Sequence, residues 1–340
     1  MPVISVILDN YNYAEFLPQA IESVLTQTFR DFELIIVDDG STDNSREIIE
    51  KYNDNRIVTV FKENGGQTSA FNDGFKAVSG CVIAFLDSDD YWYPQKLEKI
   101  IQAHRTSNIV QHYLAENGKN VYRKITSGVD WSAALLEYGY MYQHSPTSAL
   151  SFKREVLTPF FPLTDSEYMR GYADGCILML AMTQAKVVCI DDILGFYRVH
   201  GKNLNANRTD SGTALWDVSV RQRKYVNKQL VFRNLTELAY DNGQYIEHLL
   251  SMLELGEMPV VVYGTGNSGK RVAEILNRMK INVWGFANTR GNDNAVSADE
   301  LFAHCDEFGK VVIASSAQDE ITKTLLDNGL ETSRIVKLAI

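Results

Sequence analysis

Residues 84 to 94 read AFLDSDDYWYP, so an apolar run (Val82, Ile83, Ala84, Phe85, Leu86) ends in three carboxylates within four positions. Like charges that close repel, and crowding them at the end of a buried element is costly unless a cation or hydrogen-bond donors sit among them. If the chain stays extended here, Asp87 and Asp89 face one side while Ser88 and Asp90 face the other. Two carboxylates on one side suit a hard divalent cation: Mg²⁺ or Mn²⁺ takes one or two protein carboxylates and leaves its remaining positions to water and phosphate. The bland alternative is that these acids cap a helix opening near Pro94, and it weighs more for Asp90 than for the pair.

The elements that must hold these acids come from an alternation of β-type runs and helical patterns. VISVIL (Val3 to Leu8) precedes a segment with Phe16, Leu17, Ala20, Ile21, Val24 and Leu25 at helical spacing. FELIIV (Phe32 to Val37) leads to a helix opening near Ser41 to Ser45, IVTVF (Ile57 to Phe61) to a helix over Thr68 to Val78, and Val82 to Leu86 forms a fourth strand. Such repetition predicts an α/β fold with a parallel, doubly wound sheet, whose ligands bind beyond the carboxyl ends of the strands. Asp9, the pair Asp38 and Asp39, and the trio Asp87, Asp89 and Asp90 all fall at those ends. Three acidic clusters at one edge predict a shared polar site.

The bulk numbers narrow the setting. The chain has 340 residues and 45% hydrophobic content, enough for one large domain or two. A formal net charge of -10 argues against nucleic acid as the main partner. The four cysteines, Cys81, Cys176, Cys189 and Cys305, lie far apart without metal-type spacing and read as free thiols. There is no run long enough for a membrane span and no signal-peptide layout, so the expected location is cytoplasmic, with peripheral contact at the inner face of the membrane left open.

VISVILDNYNYAEFLPQAIESVLTQTFRDFELIIVDDGSTDNS, followed by ENGGQTSAFNDGF and FLDSDD, resembles the family 2 glycosyltransferases, whose catalytic domain has the nucleotide-diphospho-sugar-binding GT-A fold. The resemblance spans about residues 3 to 205, with several motifs in order. It implies a metal-dependent inverting transferase, with Mn²⁺ or Mg²⁺, a nucleotide-sugar donor (a UDP-sugar being usual), and a saccharide or lipid-linked acceptor. Residue by residue, it implies that Tyr11 lies against the nucleotide base and Asp39 hydrogen-bonds it. It likewise implies that Asp87 is the acid on the ribose side, Asp89 the metal ligand, and Asp174 in GYADGCILML the catalytic base. In YRVHGKN it makes Arg198 a phosphate contact and His200 a metal or phosphate contact, and Asn72 of the third motif falls in the nucleotide pocket. Blander readings stand beside these: Tyr11 as core, Asp174 as N-cap of an apolar helix Cys176 to Met182, and His200 as structural. The chain departs from the family pattern at Asp9 and Asn10, where Pro-Thr or Pro-Ala is common, and at Phe71, where Arg is.

The expected organisation is a GT-A domain over 1–205, a helical connector over 206–256 and a small Rossmann-like α/β domain over 257–340. In the last, YGTGNSG places Gly264, Gly266 and Gly269 in G-x-G-x-x-G spacing between a strand and a helix. The acid that should follow at the end of the next strand is replaced by Asn288, and Asp293 comes later, so a nicotinamide cofactor is not expected. A bound nucleotide or other anion and a scaffold role, including a homodimer, remain open readings. Two alternatives to the transferase are a non-catalytic sugar-nucleotide or glycan-binding module, and a bifunctional enzyme with an active NAD(P)-binding C-terminal domain.

Overall fold

The computed structural model describes residues 2–117, 131–138, 144–164, 170–201, 203, 213–235, 238, 250, 255–292, 294–315 and 317–338. The chain forms two compact units, one of Met1–Glu137, Gln143–Arg208 and Val218–Leu238, the other of Tyr138–Tyr142, Thr209–Asp217 and Ala239–Ile340.

In the first unit, β1 (Ile4–Asn10), β2 (Phe32–Asp38), β3 (Ile57–Phe61) and β4 (Val82–Asp87) run parallel in the order β3-β2-β1-β4. The apolar runs of β1, β2 and β4 are continuous because both faces are covered, while β3 lies at the edge of the sheet with Val58 and Thr59 exposed. Ile4, Val6, Leu8, Leu34, Ile36, Ala84 and Leu86 meet Leu17, Ile21, Leu97 and Ile100, which come from α1 (Leu17–Leu25) and α4 (Lys96–Ala103). On the other face lies α3 (Gln67–Ala77), close enough that a Cβ on Gly74 would stand 2.8 Å from Ile7 Cγ2. Each fully buried aliphatic side chain contributes about 1.5–3 kcal/mol, so the strand ends are held firmly in place. The parallel register sets Asp9 beside Asp87 and Asn10 beside Asp38, which gathers the acids at one edge. The short α2 (Ser45–Ile49) links β2 to β3.

Beyond β4 the sheet becomes mixed. β7 (Leu150–Lys153) is antiparallel to β4 and to β6 (Ile109–Glu116), β8 (Val187–Tyr197) is parallel to β6, and β5 (Tyr91–Trp92) is antiparallel to β8, completing eight strands in the order β3-β2-β1-β4-β7-β6-β8-β5. α5 (Trp131–Tyr138), α6 (Arg154–Leu157) and α7 (Ala173–Met182), buried at every residue except the half-buried Asp174, fill out this half. The helix α8 (Thr213–Phe232) falls where a connector was expected, yet its second half is bound into the first unit. Gln222 donates to the Tyr172 carbonyl at 3.1 Å, Tyr225 to that of Thr164 at 2.7 Å, and Arg233 to that of Pro159 at 2.8 Å.

The second unit has its own parallel sheet, in the order β11-β10-β9-β12-β13. It comprises β9 (Val260–Tyr263), α9 (Asn267–Arg278), β10 (Val283–Asn288), β11 (Val296–Ser297), α10 (Ala298–Phe302), β12 (Lys310–Ile313), α11 (Gln318–Asp327) and β13 (Ile335–Lys337). Val261, Tyr263, Val311, Ile313, Leu301 and Leu325 form its core. Among the described residues, no helix is long and apolar enough to cross a membrane.

Candidate active site

The alternation expected after Leu86 stops at Asp87. The chain turns there, with the Asp90 N–H donating to the Asp87 carbonyl at 3.0 Å, so the side chains no longer face opposite sides. Asp87, Asp89 and Asp90 instead converge, each offering a carboxylate oxygen within 4.8 Å of the others. Nor does Asp90 cap the next helix. The N-cap position of α4 is Gln95, while the buried Asp90 carboxylate accepts from Ser148 Oγ at 2.6 Å and from the Arg198 N–H at 2.9 Å.

Beneath this turn lies a cation that the sequence reading missed. Lys96 is fully buried, donates from Nζ to the Ser148 carbonyl at 2.6 Å and sits 3.7 Å from the Trp92 ring centroid. Burial pushes its ammonium well below the ordinary lysine range, and the charge of Asp90 opposes that shift. Ser148 ties the parts together: its Oγ accepts from the Asp87 N–H at 3.1 Å and donates to Asp90, and its carbonyl also accepts from Trp92 Nε1 at 2.8 Å. A signal was available, since Lys96 shares the helix face of Leu97 and Ile100, where a lysine is out of place.

This one cation does not neutralise the cluster. Burial raises Asp87 and Asp90 well above the usual carboxylate range, and the neighbouring acids add to it; Asp174 is among those acting on Asp87. Asp9 is pushed up to about 7, first by burial, and one of its oxygens, Oδ1, is buried without a hydrogen-bond partner. Asp89 is also raised by burial, against the pull of His200 and Arg198. Desolvated carboxylates with an orphaned oxygen at a strand edge are a donor set that fits a hard divalent cation.

The YRVHGKN segment comes to this turn. His200 Nε2 lies 3.0 Å from Asp89 Oδ2, which also accepts from Asn203 Nδ2 at 3.2 Å. Arg198 donates from Nε to the Asp89 carbonyl at 2.8 Å and from Nη2 to Gln19 Oε1 at 2.5 Å, with its guanidinium 4.8 Å from the Phe16 ring centroid. The His200 ring packs against Phe16 and edge-on against Tyr13. Tyr13 was not singled out from the sequence; burial and then the charges of Asp89, Asp87, Asp9 and Asp90 raise its phenol, which places it within reach of the whole cluster. Tyr11 is 45% exposed, so it is not a core residue.

Asp39 sits differently. Its carboxylate accepts from Lys62 Nζ at 2.6 Å, Asn64 Nδ2 at 3.2 Å and the N–H groups of Gly65 at 2.9 Å and Gly66 at 2.7 Å. Asp38 accepts from Asn10 and Ser41. Asn72 spends its amide on the Leu163 backbone, donating to the carbonyl at 2.9 Å and accepting from the N–H at 2.7 Å, so its side chain serves as a strut between α3 and that loop.

α7 opens at Ala173 after Tyr172, which is left-handed at φ 61° and gives the first turn no side-chain cap. Asp174 therefore lies inside the first turn and is not the N-cap of a helix beginning at Cys176. In the second unit, Gly264 has φ +129° and a Cβ on Gly269 would lie 1.9 Å from the Gly264 carbonyl oxygen, so these two glycines allow the close strand-to-helix turn. Gly266 faces open space. Asn288 closes a turn by accepting from the N–H groups of Arg290 and Gly291, and Asp293 lies outside the described residues.

A mostly parallel sheet with an acidic turn beyond its fourth strand defines a GT-A type of nucleotide-sugar enzyme. The sequence profile of Glycosyl transferase family 2 matches residues 5–164. An uncharacterized glycosyltransferase of Nostoc sp. is 40% identical over 244 residues, covering 67% of this chain and 76% of that protein. The UDP-Glc:alpha-D-GlcNAc-diphosphoundecaprenol beta-1,3-glucosyltransferase WfaP of Escherichia coli is 32% identical over 216 residues, covering 61% and 82%. In fold, the chain is similar to S. aureus TarS 1-349, solved in complex with UDP, with a TM-score of 0.53, 20% identity, and coverage of 81% of this chain and 71% of that one. The chain belongs to glycosyltransferase family 2, and it is a transferase enzyme.

Proposed function

We propose that this enzyme is a metal-dependent, inverting glycosyltransferase that moves a sugar from a UDP-sugar to a hydroxyl of a glycan or lipid-linked saccharide. The observation that carries the reading is the convergence of Asp87, Asp89 and Asp90 at the strand edge, with Asp174 close enough to act on Asp87. The donor and acceptor classes follow the E. coli relative, whose name specifies UDP-Glc and a diphosphoundecaprenol-linked sugar.

Asp89 and His200 would hold the cation, Mn²⁺ or Mg²⁺, and Asp87 would serve the donor ribose. A bound divalent cation supplies Lewis-acid stabilisation of the charge left on the departing diphosphate. Tyr11, exposed at the same edge, lies against the base. A base N–H reaches Asp39 by taking the place of the Lys62 ammonium, since Lys62, Asn64, Gly65 and Gly66 together fill its acceptor positions. Arg198 steadies the turn and keeps Nη1 for a phosphate oxygen. Asp174 accepts the proton of the acceptor hydroxyl as that oxygen attacks the anomeric carbon, and one direct displacement inverts the centre. The second unit acts as a scaffold, its glycine turn serving helix packing.

The test is UDP release from UDP-glucose and UDP-N-acetylglucosamine with a polyprenyl-diphosphate-linked sugar as acceptor, and NMR of the anomeric proton in the product. Asp174→Asn and Asp89→Ala each lower kcat by about a thousandfold or more while the fold survives. Turnover near the wild-type rate in either variant removes that residue's role, and a product that keeps the donor's configuration removes the single displacement.

A further inference from the structure

Gln67 has no assigned part in the site, yet its amide touches two of its halves. It is the first residue of α3, and Gly66 before it has φ +82°. A Cβ on Gly66 would stand 2.8 Å from the Arg170 carbonyl oxygen, so only glycine lets the 64–67 loop lie flat on the segment that leads into α7. The Gln67 N–H donates to that Arg170 carbonyl at 2.8 Å. Its side chain then divides: Nε2 donates to Asp87 Oδ1 at 3.2 Å, and Oε1 accepts from the Ala173 N–H at 3.3 Å.

Ala173 is the first residue of α7, and its N–H is one of those a helix start leaves without an intrahelical partner. Tyr172 supplies no cap, so Gln67 caps the helix from another element. The next residue is Asp174. One rigid amide plane thus links the carboxylate on the donor side to the turn that carries the base. The same loop offers its Gly65 and Gly66 N–H groups to Asp39, so the parts of the site that must face one donor molecule hang on four residues. At these lengths each Gln67 bond is worth only about 1 kcal/mol, small against the fold but enough to fix a geometry.

We infer that Gln67 is a positioning residue that sets Asp87 against the first turn of α7 and hence against Asp174. Its kinetic consequence rests on the proposed glycosyl transfer; its geometry does not. Two independent measurements on the full chain test it: amide hydrogen exchange over residues 170–176, and UDP release from UDP-glucose or UDP-N-acetylglucosamine. In Gln67→Ala, exchange at Ala173 and Asp174 speeds by about tenfold or more, and kcat falls by about tenfold to a hundredfold while KM for the donor stays within about threefold. Gln67→Glu keeps an acceptor for the Ala173 N–H but sets one more carboxylate against the cluster, so exchange stays slow while turnover is lost. Faster exchange with unchanged kcat reduces Gln67 to a helix cap and overturns the inference, as does unchanged exchange. If the wild type releases no UDP from either donor, the proposed function is what fails, and exchange alone still decides whether Gln67 joins the two elements.

Discussion

Two acidic positions at one sheet edge are built in opposite ways. At the end of β2, Asp39 is saturated by a lysine, an asparagine and two backbone N–H groups. At the end of β4, Asp87, Asp89 and Asp90 crowd together with a single buried lysine beneath them, and burial raises all three. A carboxylate that the fold satisfies shapes a loop; carboxylates that it leaves desolvated store unfavourable energy that a cation can release. On the proposed reading, the difference puts the ligand's charge at the end of β4 rather than β2.

Removing the cation on each side breaks this comparison most sharply. Lys96→Met takes one of the two donors from the Ser148 carbonyl and removes a buried ammonium from beside Asp90, which keeps Arg198, and should cost about 3 kcal/mol or more in urea unfolding. Lys62→Met leaves Asp39 three other donors and should cost about 1 kcal/mol. Equal losses would mean that the two acidic positions are not different in kind.

A smaller effect sharpens the same point through pH. An acid held above its ordinary value in the native state takes stability away as pH rises, because folding binds the proton that the rise removes. For Asp9 that loss starts near its ordinary 3.8 and is complete above about 7. Asp9→Asn should therefore gain on the wild type across that window, by on the order of 1–2 kcal/mol, since Asp9 stands beside Asp87 and the two share the cost of ionising. The measurement is the midpoint of thermal unfolding of both proteins without divalent metal; parallel curves between pH 4 and pH 7 would contradict a strained acid pair.

How much of this was legible in the sequence depends on where the partners lie along the chain. β1, β2 and β4 were readable because strands covered on both faces are apolar throughout and acids mark their ends, and the edge strand β3 because IVTVF is rich in β-branched residues. The second half of the sheet was not, since β5 and β7 are short and β8 pairs with β6 through register shifts that blur any period. The pair Asp87 and Asp89 could be chosen from spacing, but the turn that adds Asp90 could not, because alternation gives no warning of where a strand stops. Ser148, 58 residues from Asp90, and Gln67, 106 residues from Ala173, join the site only through the tertiary fold. Asn72 reads as a motif residue yet is spent on Leu163, a contact that local pattern does not disclose.

The central claim is that the β4 turn is completed by a divalent cation and a nucleotide. Isothermal calorimetry of UDP, with GDP and dTDP as controls, in Mn²⁺ and again in EDTA tests it most directly, using the wild type and Asp89→Ala. The account predicts that UDP binds the wild type in Mn²⁺, that EDTA abolishes the binding, and that Asp89→Ala behaves in Mn²⁺ as the wild type does in EDTA. Equal affinity for UDP with and without the metal would contradict it.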